Sequence, residues 1–305
     1  MLPLIYIPGI LMYTISLKLK QIFKSFISVL ILVSFLSCVG SKPNNDSINQ
    51  NIEHLIERGK GYWEQRTDTD AMFKAANFLT LAYNKRVNDF ELAILIGELK
   101  FTLGYFEEIN LEKAESIFFE GAQICSNAVL QHPDFSNLFE NTKGDGKLKL
   151  LTSINNAPPS VISGLYWWAI NLAHYLKNRP VLERLNQREL MEVIMNRVLA
   201  IEPSFHFSGP YRFFGLLYTR IPGLDLSQSE TYFNQSLNSN PEYLGNSVQM
   251  AEFYHQKAGN REQFNKILNN VINTNLNNYP EIIADNLFFQ KKARILLDNE
   301  SSLFE

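Results

Sequence analysis

From residue 50 onward, apolar side chains return every three or four positions, and the alternation of a half-buried strand is scarce. That period confines the chain to α-helices, each hiding one stripe against its neighbours. It predicts helices at about 50–66, 70–86, 89–104, 111–131, 160–178, 181–201, 210–219, 227–239, 244–258, 260–274 and 280–298. Several have end signals. Asp70 reads as an N-cap, Pro180 precedes a helix start, and Pro203 and Pro241 follow helix ends. The one long polar gap, 132–159, carries NTKGDGK and NNAPPS and reads as a surface loop. The fold class expected is therefore all-α, with residues 51–305 forming one domain.

Helices in pairs invite a search for repeats. Tyr211, Phe214, Gly215 and Tyr218 have the large, large, small, large spacing of the first helix of a tetratricopeptide repeat. After a two-residue insertion, Ser229, Phe233, Ser236 and Pro241 keep the spacing of its second helix. Small residues let two helices approach closely, and large ones fill the space between turns. Leu165, Trp168, Ala169 and Leu172, followed by Met191, Met195, Val198 and Pro203, fit more loosely. Ala114, Phe118 and Gly121 repeat the small-large-small spacing, as do Ala75, Leu79 and Ala82. The expected architecture is a tetratricopeptide-like row of helical hairpins in one solenoid-like domain.

The first 40 residues differ. Lys18, Lys20 and Lys24 precede an uncharged run, FISVLILVSFLS, that ends at Ser37-Cys38. A basic region, about a dozen apolar residues and a small residue before the cut make a secretory signal, too short to span a bilayer. The Ser37-Cys38 junction resembles the lipobox of bacterial lipoproteins, so 1–37 is expected to be a signal peptide and Cys38 the lipidated first mature residue. Translation from Met12 would give a signal of ordinary length. Residues 38–50 read as a flexible tether. Val39 carries no aspartate retention cue, which points to the outer membrane.

The 28 basic and 31 acidic residues leave a net charge of −3, so no excess of positive charge is available to neutralise nucleic-acid phosphates. Two cysteines exclude a disulfide framework, and Cys125, inside an apolar helical pattern, reads as a buried thiol. His54, His132, His174, His206 and His255 fall in separate segments without metal-ligand spacing, and neither a Walker, GxSxG nor GxGxxG motif occurs. RTDTDAM starts like a calcium loop but lacks its glycine and distal glutamate. No catalytic residue, metal or cofactor is expected, and the chain does not read as an enzyme.

Three clusters remain: Tyr166-Trp167-Trp168-Ala169; Gly209-Pro210-Tyr211-Arg212 with Ile221-Pro222-Gly223; and Asn286 to Leu297 followed by Leu303-Phe304. Together they resemble the T component of TRAP transporters, the TatT family of bacterial lipoproteins. The family's YWW-A helix corresponds to Tyr166, Trp167, Trp168 and Ala169. Its glycine-aromatic-arginine helix and Pro-Gly turn correspond to Gly209, Arg212, Gly215, Pro222 and Gly223. Its C-terminal pattern corresponds to Asn286, Ala293, Arg294, Leu296, Leu297, Leu303 and Phe304, and the likeness runs in order over about 50–304. The resemblance implies a lipid-anchored periplasmic protein that binds a solute-binding P component and channels an apolar or carboxylate ligand. It also implies a homo-oligomer, with a trimer as the first expectation. Residues expected to meet ligand or partner are Tyr166, Trp167, Trp168, Asn171, Tyr211 and Arg212, on two helices lining a common groove. The alternative is a general tetratricopeptide scaffold lipoprotein in envelope assembly, without a ligand.

Overall fold

The computed structural model describes residues 45–106, 110–221, 223 and 225–305. The chain divides into two units, Met1–Asn51 and Ile52–Glu305. The expected signal, Cys38 and the first part of the tether lie outside the described residues. Of the first unit only the opening turns of helix α1 (Asn45–Glu64) are described, so a helix begins inside the segment expected to be a tether.

The second unit contains no strand among its described residues. After α1 come α2 (Thr69–Tyr83), α3 (Phe90–Phe106), α4 (Leu111–Gln131), α5 (Pro133–Asn141), α6 (Gly146–Asn155) and α7 (Ile162–Tyr175). Then follow α8 (Val181–Ile201), α9 (Phe205–Thr219), α10 (Ser227–Ser239), α11 (Leu244–Gln249), α12 (Arg261–Asn273), α13 (Ile283–Asp298) and α14 (Glu300–Leu303). A π-helical turn, Met250–His255, continues α11. The N-cap of α2 is Asp68, whose carboxylate accepts from the backbone N–H groups of Asp70 and Ala71; Asp70 itself lies in the first turn. Segment 132–159 is not a loop. It folds into α5 and α6, which bury Phe135 and Ile154 completely, and Arg197 clamps the Ala157 carbonyl with Nε and Nη2 at 2.8 and 2.6 Å. A few apolar residues at helical spacing suffice when a neighbouring helix supplies the other wall.

At the best repeat match, α9 packs on α10. A Cβ on Gly215 would stand 2.7 Å from the Phe233 ring, so only glycine admits this approach, and Ser229 donates to the Gly215 carbonyl at 2.7 Å. Elsewhere the unit departs from a nearest-neighbour stack. The end of α3 meets α13: Phe106 lies 4.9 Å from Phe288 and 5.0 Å from Phe289. Arg66, just past α1, pairs with Asp285 of α13 at 3.0 Å. Tyr105 donates to Glu252 of the π turn at 2.6 Å. The row of helices thus closes through these few side chains, and its buried apolar residues form one cluster.

Glu98 of α3 sits by this closure. Burial, reinforced by Asp285 and partly offset by Arg66, raises its carboxyl to about 7 from an ordinary 4.5. A carboxyl raised by folding gives stability that is full below about pH 4.5 and lost as pH rises through about 7. Glu98→Gln should therefore gain about 1–2 kcal/mol over wild type near pH 8, after allowing for its partial exposure, and nothing near pH 4. Urea unfolding at the two pH values reads this out. Equal stability differences at both would show that Glu98 ionises freely.

Candidate functional site

Helix α7 is apolar almost all round because it packs against α3, α4 and α8 together. Three consecutive aromatics can then be buried at once, with Tyr166, Trp167 and Trp168 at 2%, 2% and 7% exposure. Trp167 packs on Phe101 and, edge-on at 4.8 Å, on His206. Asn171, one turn on, is fully buried and donates to the carbonyls of Gly97 and Trp167, both at 2.9 Å.

The start of α9 is unusual. His206, Phe207 and Ser208 take φ values of 45°, 55° and 62°, a left-handed turn without a glycine in it. Each such residue costs about 1–2 kcal/mol, so the turn must be held from outside. Arg212 does much of this. It is 4% exposed, and its guanidinium donates to the carbonyls of Phe207 and, at 2.8 Å, His206, and to Asn246 Oδ1 at 2.8 Å. It also lies 3.5 Å from the Tyr166 hydroxyl and over the Tyr243 ring at 4.7 Å. Phe207 stacks on Tyr243 at 4.5 Å, and Ser208 donates to Asn240 at 2.6 Å. Burial, then the Arg212 charge, lowers His206 to about 3, so its ring is neutral at any physiological pH. Burial pushes the Tyr166 hydroxyl up to about 12, against the pull of Arg212.

Of the residues expected to share a groove, the structure brings Tyr166 of α7 and Arg212 of α9 together. The space they share with His174, His206 and Tyr243 is a remnant of about 20 Å³, room for a water rather than a ligand. Arg212 spends its donors on backbone and amide oxygens, not on a carboxylate. Tyr211 stands apart, half-buried, with its ring 6.4 Å from Tyr232. Trp167, Trp168 and Asn171 do not line this space.

Two further cavities lie beyond, the first sharing Ala173, Phe213 and Leu216 with this space, the second lined in part by Ile221, Gly223, Leu296 and Leu303 of the sequence clusters. One, of about 110 Å³, lies between α8 and α9 under Leu176, Val181, Met191 and Phe213. A second, of about 690 Å³, lies between the end of α9 and the π turn, with Phe253, Leu296 and Leu303 among its walls. Arg184, Arg220 and Ile221 line both. Arg220 lies over the Phe253 ring at 5.5 Å, and Lys177 approaches the same ring at 5.9 Å. Burial lowers the Arg220 guanidinium from its usual range; Glu252 opposes this and Arg184 adds to it. For the two arginines the visible hint was Arg220 immediately before the Ile221-Pro222-Gly223 turn. Nothing in the sequence joins it to Arg184 on another helix.

None of these groups forms a nucleophile and base pair. Cys125 is fully buried, its thiol raised by burial and set 3.8 Å from the Ala93 carbonyl. Among the described residues, no cluster of His, Cys, Asp or Glu could hold a metal, and no helix is long and apolar enough to cross a membrane. A family model described as "TRAP transporter T-component" matches residues 104–304, a span that includes α7, α9 and the walls of both cavities that Arg184 and Arg220 line. No curated protein sequence matches the chain.

Proposed function

Because this chain belongs to the TRAP transporter T-component family, a transport-accessory family and not an enzyme family, we propose that it assists solute uptake by binding the solute-binding P component of its transporter. The family match over 104–304 carries this reading. In it the chain is a periplasmic lipoprotein held to a membrane, the outer one, by acylated Cys38, and it works as a homo-oligomer, a trimer in the first instance. Its helical hairpins are tetratricopeptide-like, and the fit of Gly215 to Phe233 supports that pairing. Tyr166, Trp167, Trp168, Asn171 and Arg212 serve as the packed spine that sets the spacing of α7 and α9, and half-buried Tyr211 is the member of the set accessible to a partner. An apolar or carboxylate ligand passes along the cavities beside that spine.

Deleting the gene in its own bacterium tests this reading. Uptake of the transporter's solute should fall while the envelope stays intact, and a chromosomal copy should restore it. Normal uptake with a damaged envelope would favour the scaffold alternative.

The anchor has its own test. Cells fed an alkyne analogue of palmitate should label the wild-type chain, and Cys38→Ala should abolish the label and leave an unprocessed precursor. Two or more acyl chains hold a protein to a membrane firmly, where one alone is marginal. Equal labelling of both forms would remove Cys38 from the lipidation site.

A further inference from the structure

We propose that the groove joining the two cavities lined by Arg184 and Arg220 binds a free amphipathic anion, its head held by these two arginines and its chain in the apolar space between α8 and α9. The proposal gives a ligand class and a place to the transport reading above, and rests on that reading for its purpose.

The charges come first. Arg184 and Arg220 both face the junction of the cavities, and among the described residues neither forms an ion pair. Nearby guanidinium groups do find carboxylates: Arg188 pairs with Glu192 at 2.9 Å and Arg179 with Glu183 at 3.1 Å. Lys177 and Lys257 line the larger cavity as well. The carboxylate on that wall, Glu252, is already engaged by the Tyr105 hydroxyl at 2.6 Å and by Lys292 at 3.5 Å. A chain of net charge −3 thus gathers four basic side chains and one acidic one in a single recess, where the Arg184 charge acts on Arg220 and Glu252 only partly offsets the burial of its guanidinium. Like charges left facing a partly shielded cavity destabilise the free protein, and a bound anion relieves that repulsion. Guanidinium groups are suited to the task, since each can hold two oxygens of one carboxylate.

The other half of the groove has the opposite character. Leu176, Met191, Phe213 and Leu217 wall the smaller cavity, and no acidic residue lines it. Its mouth is apolar too: Val181 and Leu185, at 55% and 52% exposure, stand beside Leu182 at 70%. Single exposed apolar residues are ordinary; Val181 and Leu185, one helical turn apart, line the cavity and extend its apolar wall to the surface, with exposed Leu182 between them in sequence. A small inorganic anion would leave this wall wet, and a neutral lipid would leave the arginines unpaired. An anionic head with an apolar tail satisfies both.

The test uses the full-length chain in phosphatidylcholine nanodiscs and a dodecanoate analogue carrying a tail diazirine and an alkyne. After illumination, labelled peptides are mapped by mass spectrometry. Labels should concentrate in 181–191 and 213–221, and dodecanoate should compete while dodecanol and dodecyltrimethylammonium should not. Arg184→Gln and Arg220→Gln should each lower labelling about tenfold, as expected for loss of a charged hydrogen bond. Arg179→Gln, outside the groove, should leave it unchanged. Melting curves show whether each variant is folded; if Arg220→Gln is not, Arg184→Gln decides. Equal competition by dodecanol, labels spread along the chain, or undiminished labelling of folded Arg184→Gln would overturn the proposal. Because no P component takes part, this failure is distinguishable from a failure of the uptake experiment.

Discussion

Replacing Arg212 by methionine should lower the melting temperature by about 10 °C, although the substitution keeps much of the side chain's volume. The reason is the left-handed turn at 206–208. Arg212 donates to the carbonyls of His206 and Phe207 and to Asn246 Oδ1. Without it, those acceptors lose a charged donor inside the protein, and a turn that L-residues resist loses its tie. The loss is about 3–5 kcal/mol, and a chain of this size loses about 2–4 °C per kcal/mol. Arg212→Lys should rescue little, since one ammonium cannot reproduce the planar fork that reaches both carbonyls. Circular dichroism melts of the three proteins provide the measurement. A methionine variant within about 2 °C of wild type would mean that the turn is held by Tyr243 and Asn240 alone.

Trp167→Ala should be comparably damaging, costing about 3–5 kcal/mol through lost burial and the cavity left behind. Trp167 is 2% exposed and packs on both Phe101 and His206. Since Arg212 also binds the His206 carbonyl, the two substitutions share a neighbour. The double variant should therefore lose less than the sum of the single losses, by about 0.5 kcal/mol or more. Tyr211→Ala, by contrast, removes a half-buried ring and should cost about 1 kcal/mol or less. That makes Tyr211 the useful position for probing partner contact without unfolding the protein. Strict additivity of Arg212 and Trp167 would show that His206 transmits nothing between them.

What could be read from the sequence follows from where each signal resides. The long helices were legible because a 3.6-residue period survives any tertiary detail, as α4 and α8 illustrate: both keep the expected bounds of 111–131 and 181–201. Helices α5 and α6 were not, because their apolar positions are few and gain their meaning from the partners of Phe135 and Ile154. The left-handed turn had no local sign at all. His206, Phe207 and Ser208 are ordinary helix or loop residues, and what holds them comes from Arg212 on α9, Asn240 just past α10, and Tyr243. The aromatic run of α7 was visible as a cluster, but a sequence cannot tell a helix surrounded by neighbours from one lining a groove. Arg184 on α8 and Arg220 just past α9 become a pair only when α8 and α9 pack together.

The clearest check on the transport role is a direct binding measurement between the full-length chain in nanodiscs and the purified P component of the same transporter, by surface plasmon resonance. Saturable binding is expected, weakened by Tyr211→Ala and absent with a solute-binding protein from an unrelated uptake system. No binding when both proteins are folded and the P component binds its solute, or equal binding to the unrelated protein, would contradict the role.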